Sequence, residues 1–171
     1  MSLASVVMNA APFSAHPPHL QGLIQAVAEA VAEDALKDPF TPAQWAALAP
    51  YLQQYALSEG QTLFTRGAAN DRTLYLIESG NLSAHYEDEK ARLRMAIIGS
   101  GSIVGESVFF SQRPRIATVQ AASASKLWGL SSLRFTELSN RQPALALGLT
   151  LAAGSVLARR LNNRRRRVAA T

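Results

Sequence analysis

Residues 101–118 read Gly101-Ser102-Ile103-Val104-Gly105-Glu106-Ser107-Val108-Phe109-Phe110-Ser111-Gln112-Arg113-Pro114-Arg115-Ile116-Ala117-Thr118. Gly105 permits a close backbone approach to a ligand. Residues 106–110 can form one helical turn, whose first N–H groups lack intrahelical partners and favour an anion. Pro114 fixes the turn that delivers Arg115, a forked and permanently charged donor suited to phosphate. Glu106, when ionised, only accepts, which suits a sugar hydroxyl. A phosphate donor beside a sugar acceptor describes a nucleotide site. Taken singly, Gly-Glu and Pro-Arg are common pairs, and a structural ion pair between Glu106 and Arg115 is the competing reading.

The surroundings of this stretch are β-like. Short apolar runs cover residues 62–64, 73–77, 81–86, 93–98, 116–121 and 126–130. Gly60, Gly67, Gly80, Gly99, Gly101 and Gly105 punctuate them. Many short strands at such spacing predict a small antiparallel barrel or jelly roll. Residues 87–90, Glu-Asp-Glu-Lys, read as a polar hairpin tip. Helices flank the β region. Residues 20–37 carry Leu23, Ile24, Val27, Val31 and Leu36 at helical spacing. A second helix starts at Thr41-Pro42, an N-cap followed by Pro in the first turn. Ser131-Ser132 caps a third, Pro143 interrupts it, and a fourth runs over residues 144–163. Phe109, Phe110, Tyr75 and Trp128 read as core. The expected organisation is a leader (1–19), N-terminal helices (20–54), a β-roll (55–130), C-terminal helices (131–163) and a basic tail (164–171).

The ordered cassette resembles the phosphate-binding cassette of cyclic nucleotide-binding domains. In that family Gly-Glu-Leu-Ala-Leu is followed, after a variable turn, by Pro-Arg-Ala-Ala-Thr. Here it reads Gly105-Glu106-Ser107-Val108-Phe109, then Pro114-Arg115-Ile116-Ala117-Thr118. The likeness extends over residues 41–163. Gly60, Gly67, Tyr75-Leu76-Ile77 and Gly80 fall where the family has its early roll glycines and aromatic strand. Residues 130–143 look like its hinge helix, and Leu157-Ala158-Arg159-Arg160-Leu161 like its C-terminal helix.

The resemblance implies a mainly β fold, an antiparallel β-roll of jelly-roll or double-stranded β-helix type, with N-terminal helices and C-terminal hinge and lid helices. It implies that Arg115 pairs with a cyclic phosphate, with backbone N–H groups near Ser107, Val108, Ile116 and Ala117 completing the cradle. Gly105 and Glu106 would serve the ribose. The family's lid falls at Arg164 and Arg165, which would contact the base. Ser107 replaces the usual Leu, and Gln112 stands where many members have Gly. Ile116 lacks the Thr hydroxyl that guanine-preferring members often carry there, so cAMP is expected over cGMP. The implied protein is a non-enzymatic sensor with no cofactor, acting on a protein effector in trans. The leucine-rich last helix fits a homodimer seam or burial on the roll equally well. A module of the same fold that binds no nucleotide and docks through its basic tail is the alternative.

Charge narrows the partners. The chain has 171 residues, a net charge of +5 and no Cys. Arg159, Arg160 and Arg164 to Arg167 fall in the last 13 residues, and without these six the net charge is −1. The basic character therefore belongs to the tail. Four contiguous arginines without interleaved aromatics give affinity for polyanions without sequence reading. A solvated helix end fits them as well. Only eight residues follow Asn163, whereas a DNA-reading winged helix needs roughly 60 more, so no specific DNA recognition is expected. His16, His19 and His85 are not spaced as a metal site. Residues 144–157 are too short for a membrane span and carry Gly148 and Gly154. No signal peptide is evident, and a cytoplasmic location is expected.

Overall fold

The computed structural model describes residues 20–37, 40–69, 71–88 and 90–169, with side chains described through Asn163. The expected leader therefore lies outside the described residues. Helix α1 (Gln21–Glu29) opens the described chain, followed by α2 (Pro42–Leu48) and a 3₁₀ turn, Ala49–Tyr51. The strands are β1 (Gln53–Leu57), β2 (Thr62–Phe64), β3 (Leu74–Ser79), β4 (Asn81–Glu87), β5 (Leu93–Gly99) and β6 (Ile103–Val104). A short helix α3 (Glu106–Ser111) precedes β7 (Thr118–Ala121) and β8 (Ser125–Leu130). Helices α4 (Ser132–Arg141) and α5 (Pro143–Ala169) close the chain.

The strands form two four-stranded antiparallel sheets, ordered β1-β8-β3-β6 and β2-β7-β4-β5. This is the β-roll with flanking helices that the sequence predicts. Strand β3 is buried on both faces, so its side chains separate two cores. Tyr75 and Ile77 point into the roll with Leu57, Leu82, Val104, Val119 and Leu127. Leu74 and Leu76 point the other way, into a helix-covered core with Leu23, Trp45, Trp128, Leu138, Leu149 and Val156. Trp45 and Trp128 are each 1% exposed, and truncating either to Ala costs about 3–5 kcal/mol.

The local signals act as expected at the helix starts. Thr41 Oγ1 accepts from Gln44 N at 3.3 Å, and Gln44 Oε1 accepts from Thr41 N at 2.9 Å, closing a capping box. Ser131 Oγ accepts from Arg134 N at 3.3 Å. Pro143 begins α5 rather than continuing α4.

Three expectations are corrected. Helix α1 stops at Glu29, and Val31 is almost fully exposed although its spacing fits the helix. The chain turns there because tertiary contacts bury Ala35 and Leu36 instead. Leu36 N donates to Gly101 O at 2.8 Å, joining this loop to the roll. Phe110 is surface-facing, edge-on to the buried Phe109. Tyr75 and Trp128 are core as expected, and each also uses its polar tip. Trp128 Nε1 donates to Glu78 at 2.6 Å and Tyr75 OH to Asp71 at 3.0 Å. Finally, the last helix extends beyond the apolar run, and Pro143–Asn163 is long and apolar enough to cross a membrane by length and composition alone. Its inner residues, Leu145, Ala146, Leu149, Ala153 and Val156, are buried in the helix-covered core.

Candidate ligand-binding site

The cassette folds as a turn between two sheets. β6 ends at Val104, Gly105 takes φ +88°, and α3 starts at Glu106. A Cβ at Gly105 would come within 2.5 Å of Thr73 O and 2.8 Å of Arg115 Nη1. Glycine is needed here both for the left-handed backbone and because the guanidinium lies against it. At the other end of α3, Gln112 takes φ 58° as C-cap. A glycine commonly ends helices in this conformation, which explains why Gln112 stands out in the sequence.

Arg115 then returns beneath the cassette. Its backbone is stitched to the loop after β2: Arg115 N donates to Ala68 O at 2.9 Å and Gly67 N to Arg115 O at 2.8 Å. Its side chain is 1% exposed. Nη2 donates to Asp71 Oδ2 at 3.0 Å and to Thr73 O at 3.3 Å, and Nη1 to Gly105 O at 3.3 Å. The guanidinium sits 3.9 Å from the centre of the Phe64 ring, a cation–π contact. Its Nε is buried without a partner. Tyr75 supports the arrangement from behind. Burial, reinforced by the Asp71 carboxylate, raises the Tyr75 hydroxyl above its ordinary pKa, so it stays a proton donor to Asp71.

Glu106 is 9% exposed. Its Oε1 accepts from Arg160 Nη1 at 2.7 Å. Arg160 reaches this point from α5. It also donates through Nε to Asp34 at 2.9 Å, and through Nη2 to Ser102 Oγ at 3.1 Å and Ile103 O at 2.8 Å.

These groups open on one cavity of about 640 Å³. Gly105, Glu106, Ser107, Val108, Arg115, Ile116 and Ala117 all line it, so the structure places on one cavity the seven cassette residues expected to contact phosphate or ribose, while Phe109, Pro114 and Thr118 do not line it. Ala84, Tyr86 and Ala96 from β4 and β5 form its strand wall, and Leu157 and Leu161 approach from α5. The side chains of Arg164 and Arg165 lie outside those described. The arrangement offers a buried cation with one unpartnered N–H, a carboxylate acceptor and an apolar wall. That combination can hold a phosphate, a sugar hydroxyl and a flat apolar ring at once.

Three contributors were not named as site residues from the sequence. Asp71, Arg160 and Asp34 reach the site through contacts 44, 54 and 126 residues apart. Only Arg160 had a signal, since it lies in the stretch that resembles the family's C-terminal helix. Among the described residues, no group of three His, Cys, Asp or Glu could hold a metal ion. His85 lies beside Ser83 Oγ at 3.1 Å, and His16 and His19 lie outside the described residues.

Comparison with known proteins bears on the family and the fold. An uncharacterised protein of Mycobacterium tuberculosis is 37% identical over 86 residues, covering 50% of this chain and 16% of that relative. The chain thus corresponds to a small part of that relative's length. A cyclic nucleotide-binding domain from Methylobacillus flagellatus superposes with a TM-score of 0.75 at 22% identity, covering 88% of this chain and 82% of that one. The catabolite activator protein of Thermus thermophilus superposes with a TM-score of 0.64 at 24% identity, covering 78% and 61%. These two likenesses bear on the fold. The family profile described as cyclic nucleotide-binding domain matches residues 55–142, more than half of the chain and the whole cassette. The chain belongs to the cyclic nucleotide-binding domain family.

Proposed function

We propose that this chain is a non-enzymatic sensor that binds a cyclic mononucleotide, cAMP in preference to cGMP, and signals to a protein effector through its C-terminal helices. The observation that carries the reading is Arg115. A buried guanidinium with an unpartnered N–H lines the same cavity as Glu106. A charge-assisted bond at such a site is worth about 1.5–3 kcal/mol. The cyclic phosphate takes Arg115 and the N–H groups at Ser107, Val108, Ile116 and Ala117. A carboxylate has roughly four acceptor positions, so the Arg160 bond leaves Glu106 capacity for a ribose hydroxyl. Ile116 lines the cavity without a hydroxyl, which supports adenine over guanine.

The output runs through α5. Arg160 ties that helix to Glu106, so a ligand at Glu106 touches the helix's own anchor. A ligand that binds one placement of α5 better than another shifts its population. The outer face of α5 exposes Leu147 and Leu151. Leu147 and Leu151, four residues apart, share one face of the helix, which supports a homodimer seam. Thermal melts with added nucleotide test the ligand: cAMP raises the midpoint more than cGMP, and 5′-AMP raises it less than either. Equal shifts from cAMP and 5′-AMP contradict the reading.

A second reading has one observation in its favour. Arg115 and Glu106 are already paired within the chain, to Asp71 and Arg160. On that reading the fold is an interaction module that docks through its basic tail. Deleting residues 164–171 then abolishes partner binding while nucleotide has no effect.

A further inference from the structure

Asp34 lies in the loop between α1 and α2, outside the matched family segment. This loop is pinned to the roll and to α5 at once. Asp34 O accepts from Ser102 Oγ at 2.8 Å, and Ala35 O accepts from Arg159 Nη2 at 2.8 Å. The Asp34 carboxylate, 29% exposed, takes Arg160 Nε. Arg160 is thereby held by anions on two sides, Asp34 from the loop and Glu106 from the cassette, with Ser102 and Ile103 on its remaining edge. A guanidinium is planar, so contacts on three edges fix both its position and its plane. With Glu106 as its only anion, a long and flexible Arg side chain could follow that carboxylate or leave it. Asp34 removes that freedom before a ligand arrives.

We infer that Asp34 is a positioning residue for the sugar end of the site: it fixes Arg160, and Arg160 fixes the Glu106 carboxylate where a ribose 2′-hydroxyl can donate to it. The inference rests on the proposed binding of a cyclic nucleotide and adds a residue from the N-terminal loop to that site. Glu33 also lines the cavity, but no hydrogen bond ties it to Arg160. The phosphate end is built separately, from Arg115, Asp71 and Thr73. Asp34 therefore acts on recognition of the 2′-hydroxyl and leaves the phosphate contacts intact.

The test compares cAMP with 2′-deoxy-cAMP by calorimetry on the full chain. Wild type prefers cAMP by roughly tenfold, the worth of one charge-assisted hydrogen bond. In Asp34→Ala that preference falls to about threefold or less, while affinity for 2′-deoxy-cAMP stays near the wild-type value. Asp34→Asn, which keeps the shape and loses the charge, falls between the two. A purely structural role would weaken both ligands by the same factor, and that result overturns the inference. An unchanged preference in both variants overturns it as well, while leaving the binding reading intact. Failure of folded wild type to bind either ligand overturns the binding reading and this inference together.

Discussion

Arg115 carries a charge that water does not reach, so its partners decide whether it costs or stabilises. Among the described residues, Asp71 is the only anion that hydrogen-bonds Arg115, and the Asp71 side chain is 41% exposed. Removing one partner of a fully buried pair costs about 3–5 kcal/mol. Solvent screening at Asp71 reduces this, so Asp71→Asn is expected to lose about 1–2 kcal/mol in urea denaturation. Saturating cAMP should then stabilise Asp71→Asn more than wild type, because the phosphate supplies the missing anion. Equal ligand stabilisation in both proteins would count against Arg115 as the phosphate donor. At this scale the sequence was informative where chemistry is local. Glu106 and Arg115 sit in one short cassette whose order could be read directly. Asp71 could not be read, and Arg160 was marked only by its place in the family's C-terminal helix, because only the fold brings their side chains to the site.

The β4–β5 hairpin owes its tip to one carboxylate. Asp88 accepts from Arg92 N at 3.0 Å and Lys90 N at 2.9 Å, and from Arg92 Nε and Arg94 Nε at 3.0 Å each. Led by the Arg92 backbone N–H, these bonds hold its pKa well below the ordinary 3.8. A carboxylate depressed by folding stabilises above its unfolded pKa and loses that contribution as pH falls through the folded value. The melting-temperature gap between wild type and Asp88→Asn should therefore be full at about pH 6 and shrink below about pH 4. A gap that is constant with pH contradicts the assignment. Gln112 tests a second element end. A left-handed conformation costs a non-glycine residue about 1–2 kcal/mol, and glycine's extra chain entropy offsets roughly half of this. Gln112→Gly should raise stability by about 0.5–1 kcal/mol in the same urea assay; a loss would contradict the strain. Strand β1, by contrast, escaped the sequence reading at Gln53-Gln54, since an edge strand with an exposed, polar start lacks apolar alternation. β6 has two residues, too few to show a period. α1 looked longer than it is because Val31 keeps helical spacing after the chain has left the helix.

For the molecule as a whole, the roll carries the cassette, and the proposed output runs through α5. Helix α5 buries one face on the core and exposes Leu147 and Leu151 on the other. If that face is a seam, wild type sediments as a dimer, and the double variant Leu147→Glu, Leu151→Glu sediments as a folded monomer. A monomeric wild type at all concentrations removes the seam from the account. The overall architecture was legible because glycine-punctuated short strands and capped helices are local signals. The coupling of α1, α5 and the cassette was not, since it depends on Arg159 and Arg160 meeting a loop more than a hundred residues earlier. The net charge of +5 belongs to the end of this same helix, whereas the arginine on which the ligand reading depends lies within the near-neutral body. The most direct test is a calorimetric titration of the folded chain with cAMP, run beside Arg115→Ala. The account predicts saturable binding with one cAMP per chain and a loss of roughly tenfold or more in affinity for Arg115→Ala. No heat from folded wild type at high concentration, or equal affinity in the variant, would contradict it.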